Sequence, residues 1–177
     1  KHGGLWRVRG RAMSKLLGVT FTSFGLTYSS YYRRAPDSNL PECQWIMKGL
    51  SADEPIGNFG LVGGGAAGLE LDRYDLELGT PHRAYLLAHS EGHNDIFVSV
   101  TEESTFNARG YTQGGTGDNN PWTRADIVYY KTPNDGAVFS VGSMSWCGSL
   151  QHNDYDNNVS QIMQNVLNGF LKPGTLP

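Results

Sequence analysis

Little in this chain is unusual, and several things are missing. It has only two cysteines, Cys43 and Cys147, among 177 residues. Two thiols make no disulfide framework, so the sequence points to a reducing cytoplasm rather than a secreted scaffold. No apolar run approaches the ~20 residues a membrane-spanning helix needs, and no signal-peptide pattern opens the chain. Basic residues are no more than balanced: 14 Lys and Arg against 17 Asp and Glu give a formal charge of −3. Without a positive field to pair with phosphates, nucleic acid is not an expected partner. No internal repeat is present. What remains is an ordinary composition, 38% hydrophobic with a pI near 5.9, and a length that can bury a real core.

The clearest pattern lies near the C-terminus. Residues 137–141 (AVFSV) read as a strand flanked by Gly136 and Gly142. Asn134-Asp135-Gly136 reads as a hairpin turn that pairs this strand with residues 125–130. Val159, Ile162, Met163, Val166, Leu167 and Phe170 recur on one helical face. Asp156, Asn157 or Asn158 offers a cap, and Pro173-Gly174 a stop. Between strand and helix runs a polar, aromatic loop containing Cys147, His152 and Asn153, a place where a site could sit.

Upstream, residues 5–11 alternate Arg with apolar residues and suggest a short strand with a charged face. Residues 19–23 read as a strand stopped by Gly25. Residues 28–34 hold three tyrosines and two arginines, suited either to a partner or anion or to a self-satisfied packed segment. Residues 42–48 suggest a short helix with Cys43 as a packing residue.

The glycine run at 63–68 invites a phosphate-loop reading, but the Lys-Ser/Thr of that motif is missing. Its physical content is close backbone approach. Glu70 follows, between Leu69 and Leu71. If those two face one way in an extended segment, Glu70 faces the other. It is then either a carboxylate suited to proton transfer or a surface group paired with Arg73.

Residues 84–88 and 95–100 read as strands. Between them His89, Glu91, His93 and Asp95 fall within seven residues. That density suggests metal ligands, but the spacing fits no zinc motif, so a hydrogen-bonded strand-end loop is the expected outcome. Residues 110–121 read as a glycine- and asparagine-rich loop. Cys147 and His152 could form an activated thiolate pair; a packed, inert cysteine is the simpler expectation.

Four stretches in order carry a family resemblance: GVTFTSFGLTYSSYYRR (18–34), FGLVGGGAAGLELDR (59–73), LLAHSEGHND (86–95) and VFSVGSMSWCGSLQHNDYDNNVSQIMQNVL (138–167). Together they resemble the C-terminal region of the N,N-dimethylformamidase large-subunit family. The resemblance implies a hydrolase that cleaves a small amide to formate and amine. It implies iron held by two tyrosines and the glutamate of a His-Pro-Glu motif, and a small helical subunit in a hetero-oligomer. No His-Pro-Glu occurs here, so the iron ligands are expected upstream, and Tyr31 and Tyr32 are not substitutes for them. Lys1 joins the family pattern in mid-stride, so residues 1–177 are expected to be a single domain or the C-terminal part of a larger large-subunit chain. Glu70 falls on the carboxylate of the family's GLELD-type motif, as candidate general acid/base. Cys147, His152 and Asn153 are expected to line the same cleft. The expected fold is α/β, a mixed β-sheet with few helices, resembling the later part of a glutamine-amidotransferase-like domain. The alternative is a non-catalytic scaffold or binding module that contacts the small subunit or closes the oligomer.

Overall fold

The computed structural model describes residues 6–100 and 120–172. Six strands make one curled sheet: β1 (Thr20–Arg34), β2 (Ala67–Arg73), β3 (Tyr85–Glu91), β4 (Val98–Ser99), β5 (Asp126–Lys131) and β6 (Ala137–Ser140). Their order is β2-β1-β3-β5-β6, with β4 also on β1. Every pairing among the described strands is antiparallel. No helix links one strand to a parallel neighbour in the described residues, so nothing here resembles a βαβ crossover. Among the described residues α-helices are few, as expected: α1 (Ser14–Leu17) and α2 (Asn158–Leu171).

β1 is far longer than its sequence suggests. Gly25 does not stop it; a Cβ there would lie 2.7 Å from the Phe97 ring. The glycine is therefore what lets that ring lie on the strand. The early part of β1 pairs with β2, and residues 31–34 pair with β3. The Tyr/Arg-rich segment is thus strand, and largely satisfied within the chain. Tyr32 is fully buried, Arg33 pairs with Glu91 at 2.9 Å, and Arg34 donates to Ser38 and Asn39.

The glycine run does bring backbones together. A Cβ on Gly63 would lie 2.5 Å from the Ser29 nitrogen, and one on Gly65 2.2 Å from the Ser30 oxygen. No side chain fits there. The sheet then curls until its far side meets β2. Leu71 bridges to Ser143, and the Asp72 N–H donates to the Gly142 carbonyl at 2.8 Å.

The hairpin forms as the sequence predicts, pairing Lys131 with Ala137 through Val128 with Ser140, with Asp135 at φ 60°. In α2, Asn157 is the cap, accepting from the Ser160 N–H at 2.9 Å. Val159, Ile162 and Val166 are buried and join Tyr32, Ile46, Ile56, Leu87 and Trp146 in the core. Leu167 and Phe170 on the same apolar face stay exposed. The stop at Pro173-Gly174 lies outside the described residues, as do residues 110–119 of the expected loop.

Three local expectations fail. Residues 6–9 form a 3₁₀ turn rather than a strand. The Gly10 N–H closes onto the Arg7 carbonyl, and the Arg7 guanidinium is drawn inward to Thr20 Oγ1 at 3.1 Å. Residues 41–49 are successive turns rather than a helix. The strand expected at 95–100 shrinks to Val98–Ser99, because Phe97 turns in to cover the sheet at 1% exposure.

Candidate functional site

The site grows out of β2. Its last residues, Glu70 to Arg73, pair with Phe24 to Thr20 of β1, and the one shift within that stretch, a bulge at Thr22, belongs to β1. In such a strand alternate side chains share a face. Leu71 is buried, whereas Glu70 is exposed and Asp72 only partly covered. Just before Glu70 the ladder breaks between the Gly25 and Ser29 pairings, with Thr27 at φ 73° and Leu69 at φ 62°. A leucine in the left-handed region is strained, and such bulges re-aim the residues beside them.

The segment after β6 makes the opposite wall. Ser143 Oγ donates to the Gly68 carbonyl and accepts from the Gly68 N–H, both at 2.8 Å. Ser145 Oγ lies 2.9 Å from Ser29 Oγ. These bonds pin the 3₁₀ segment Met144–Ser149 against β1 and β2. Between the walls is a cavity of about 420 Å³ lined by Glu70, Asp72, Ser143, Met144, Trp146 and Cys147 among others. Tyr32 buttresses it from below, donating to the Val141 carbonyl at 2.6 Å and meeting Trp146 edge-on at 5.7 Å.

The two carboxyls differ in setting. Burial pushes the Asp72 carboxyl up to about 6, the Glu70 charge adds to this, and Arg7 opposes it. Asp72 Oδ1 is buried with no hydrogen-bond partner. Sequence reading did not single out Asp72. The signal was there in Glu70-Leu71-Asp72, because alternation assigns both acids to one face, but only the wall at 139–147 buries one of them. Arg73 does not pair with Glu70; it binds Asp75 at 2.8 Å instead.

Of the loop residues, Cys147 shares the cavity with Glu70, whereas His152 and Asn153 do not line it. Cys147 is exposed, not packed; the 3₁₀ segment turns it outward while Ser145, Trp146 and Ser149 face in. The packed cysteine is Cys43, whose thiol burial pushes up to about 12. His152 stacks on Phe59 at 4.2 Å, and Asn153 donates to the Asp156 carbonyl within a turn whose residues 153–155 all have positive φ. No Cys147–His152 hydrogen bond occurs among the described residues.

Within the histidine cluster, Ser90 ties His93 to the neighbouring backbone. The Ala125 N–H donates to Ser90 Oγ at 2.7 Å, leaving the Ser90 hydrogen for His93 Nε2 at 2.6 Å. The neutral tautomer then carries its proton on Nδ1. Burial lowers His93 to about 4. Among the described residues, no group of three or more His, Cys, Asp or Glu could hold a metal ion.

A cavity with one open and one partly buried carboxyl on the same strand is suited to moving protons on a small ligand. The sequence places it more closely: residues 1–157 match the family described as "N,N-dimethylformamidase beta subunit-like, C-terminal", and the chain belongs to that family. It is 46% identical over 177 residues to the N,N-dimethylformamidase beta subunit of Alcaligenes sp. The same identity and span hold for the beta subunit of that name from Paracoccus aminophilus. Each alignment takes in 100% of this chain and 23% of the relative, so the chain spans about a quarter of the length of the curated relatives it matches.

Proposed function

We propose that this chain is the C-terminal part of an iron-dependent amidohydrolase resembling N,N-dimethylformamidase, which hydrolyses a small N-substituted amide to formate and amine. The observation that carries the reading is the 46% identity along the whole chain to two such beta subunits. Within that reading Glu70 is the general acid/base, supported by its place in the wall of the 420 Å³ cavity. An exposed carboxylate there can take a proton from the attacking water or hand one to the departing amine.

Iron is part of the proposal, with its ligands in the remaining part of the large subunit. The described residues of this chain do not fit it, having no cluster of metal-ligating side chains. A small helical subunit, a hetero-oligomer and a cytoplasmic location belong to the same reading. So does correspondence of the sheet to the later part of a glutamine-amidotransferase-like domain, which rests on the family resemblance. No helix in the described residues is long and apolar enough to cross a membrane.

The test is Glu70→Gln in the complete enzyme. Turnover is expected to fall by a factor of ~10² or more with iron content retained. Near-normal turnover removes Glu70 from the mechanism and brings the scaffold reading forward. That second reading has its own observation: Tyr155, Leu167 and Leu171 are 66%, 53% and 78% exposed along a groove of about 540 Å³ beside α2, an apolar face suited to a protein partner.

A further inference from the structure

The cavity holds a second carboxyl that the role of Glu70 leaves unused. Glu70 and Asp72 stand two residues apart on one face of β2, about 7 Å along the strand, and both line the same space. Asp72 Oδ1 is sealed from solvent without a partner. Trp146, 2% exposed, lines the cavity too, and its indole Nε1 is also without a partner. Folded proteins leave few buried polar atoms unpaired, and two of the five among the described residues belong to side chains that line this one cavity.

We propose that Asp72 is a second catalytic carboxyl, the general acid that protonates the departing amine nitrogen, while Glu70 takes the proton of the attacking water. The inference rests on the amide-hydrolase reading above. The water oxygen bonds to the amide carbon as its proton passes to Glu70. The C–N bond then breaks, its electron pair stays with nitrogen, and the Asp72 proton joins that nitrogen. Formic acid and the amine leave. Transfer of a proton from Glu70 to Asp72 through solvent restores both groups.

The division of labour follows the environments. Burial, then the Glu70 charge, hold the Asp72 proton and raise its pKa to about 6 against the pull of Arg7. Tyr32, which is buried and kept neutral, approaches from β1, and Cys147 from the facing segment. At pH 7 roughly a tenth of Asp72 then carries its proton.

The experiment compares Asp72→Asn and Glu70→Gln in the complete enzyme, measuring kcat/KM against pH with a dialkylformamide and an N-arylformamide. Arylamines are weakly basic and need little help from an acid. Asp72→Asn is expected to lower kcat/KM on the dialkylformamide by ~10²-fold. With the arylformamide the loss should shrink to ~10-fold or less, and the alkaline fall in rate that follows Asp72 deprotonation should vanish. Equal losses on both amides, or an unmoved alkaline limb, overturn the proposal. If Asp72→Asn does not fold, Asp72→Glu carries the test: a displaced alkaline limb supports the acid, an unchanged one refutes it. Near-normal turnover of Glu70→Gln defeats the Glu70 reading alone, because the leaving-group dependence still decides Asp72.

Discussion

Two aspartates in this sheet are drawn away from water, and they are treated in opposite ways. Asp126, at the start of β5, is fully buried and fully occupied. It accepts from Arg124 Nε at 3.0 and 3.1 Å and from the Tyr74 N–H at 2.7 Å. Burial still pushes its carboxyl up, but Arg124 and the Tyr74 N–H pull against that. Asp72, near the end of β2, has an acid neighbour in Glu70 and an oxygen with nothing to bind. A buried carboxylate with both oxygens hydrogen-bonded holds structure together. One kept half-satisfied beside a cavity is held near its titration point.

The largest effect on stability should come from breaking the satisfied site. Asp126→Ala strips a charge partner from Arg124 and an acceptor from Tyr74, and should cost about 3 kcal/mol in urea unfolding. A loss under about 1 kcal/mol would mean the two aspartates do not differ as described.

Asp72 should respond to pH instead. Its folded pKa of about 6 lies above the ordinary carboxylate value, so its contribution is fully present below about pH 4 and lost as pH rises through 6. Asp72→Asn should therefore gain about 1–3 kcal/mol of stability relative to the native chain at pH 8 and nothing at pH 3.5. His93 works the other way. Its folded pKa of about 4 lies below the ordinary value, so its stabilisation is present above pH 6.5 and lost as pH falls towards 4. The two slopes oppose each other in the native protein. Replacing Asp72 should expose the acid-labile histidine slope, visible as a urea midpoint that drops between pH 6.5 and 4.5. A profile in Asp72→Asn that does not change on His93→Gln would rule out a buried neutral His93 as its source.

The smallest contrast uses two tyrosines of the core, both fully buried. Tyr32→Phe leaves the Val141 carbonyl without its 2.6 Å donor and should cost about 1–2 kcal/mol. Tyr129→Phe removes a hydroxyl that has no partner and should be neutral or slightly stabilising in thermal unfolding. Equal losses would show that ring packing, not hydrogen bonding, sets both values.

What could be read in advance follows from the range of the forces. The hairpin at 134–136 and the capped helix α2 depend on residues within a few positions of one another, and both formed as the spacing predicted. The close approach of the glycine run was readable because absent side chains can only matter against a neighbour. The extent of β1 was not readable. Gly25 breaks a strand by local preference, and here it continues one because Phe97, 72 positions later in the sequence, needs the space.

The same division holds at the site. Order along the chain put Glu70 and Asp72 on one face of β2, and the family pattern drew attention to Glu70. Sequence density also drew attention to the histidine cluster, read there as a hydrogen-bonded strand-end loop, and it holds the Ser90–His93 bond. The loop reading grouped His152 and Asn153 with Cys147, although only Cys147 lines the cavity. By itself, then, the sequence determined the family, the local turns and caps, and which side chains share a strand face. Tertiary structure decided which of those side chains see solvent. That choice depends on the segment at 142–147 closing onto β2, a contact between residues some 70 positions apart that no short-range pattern encodes.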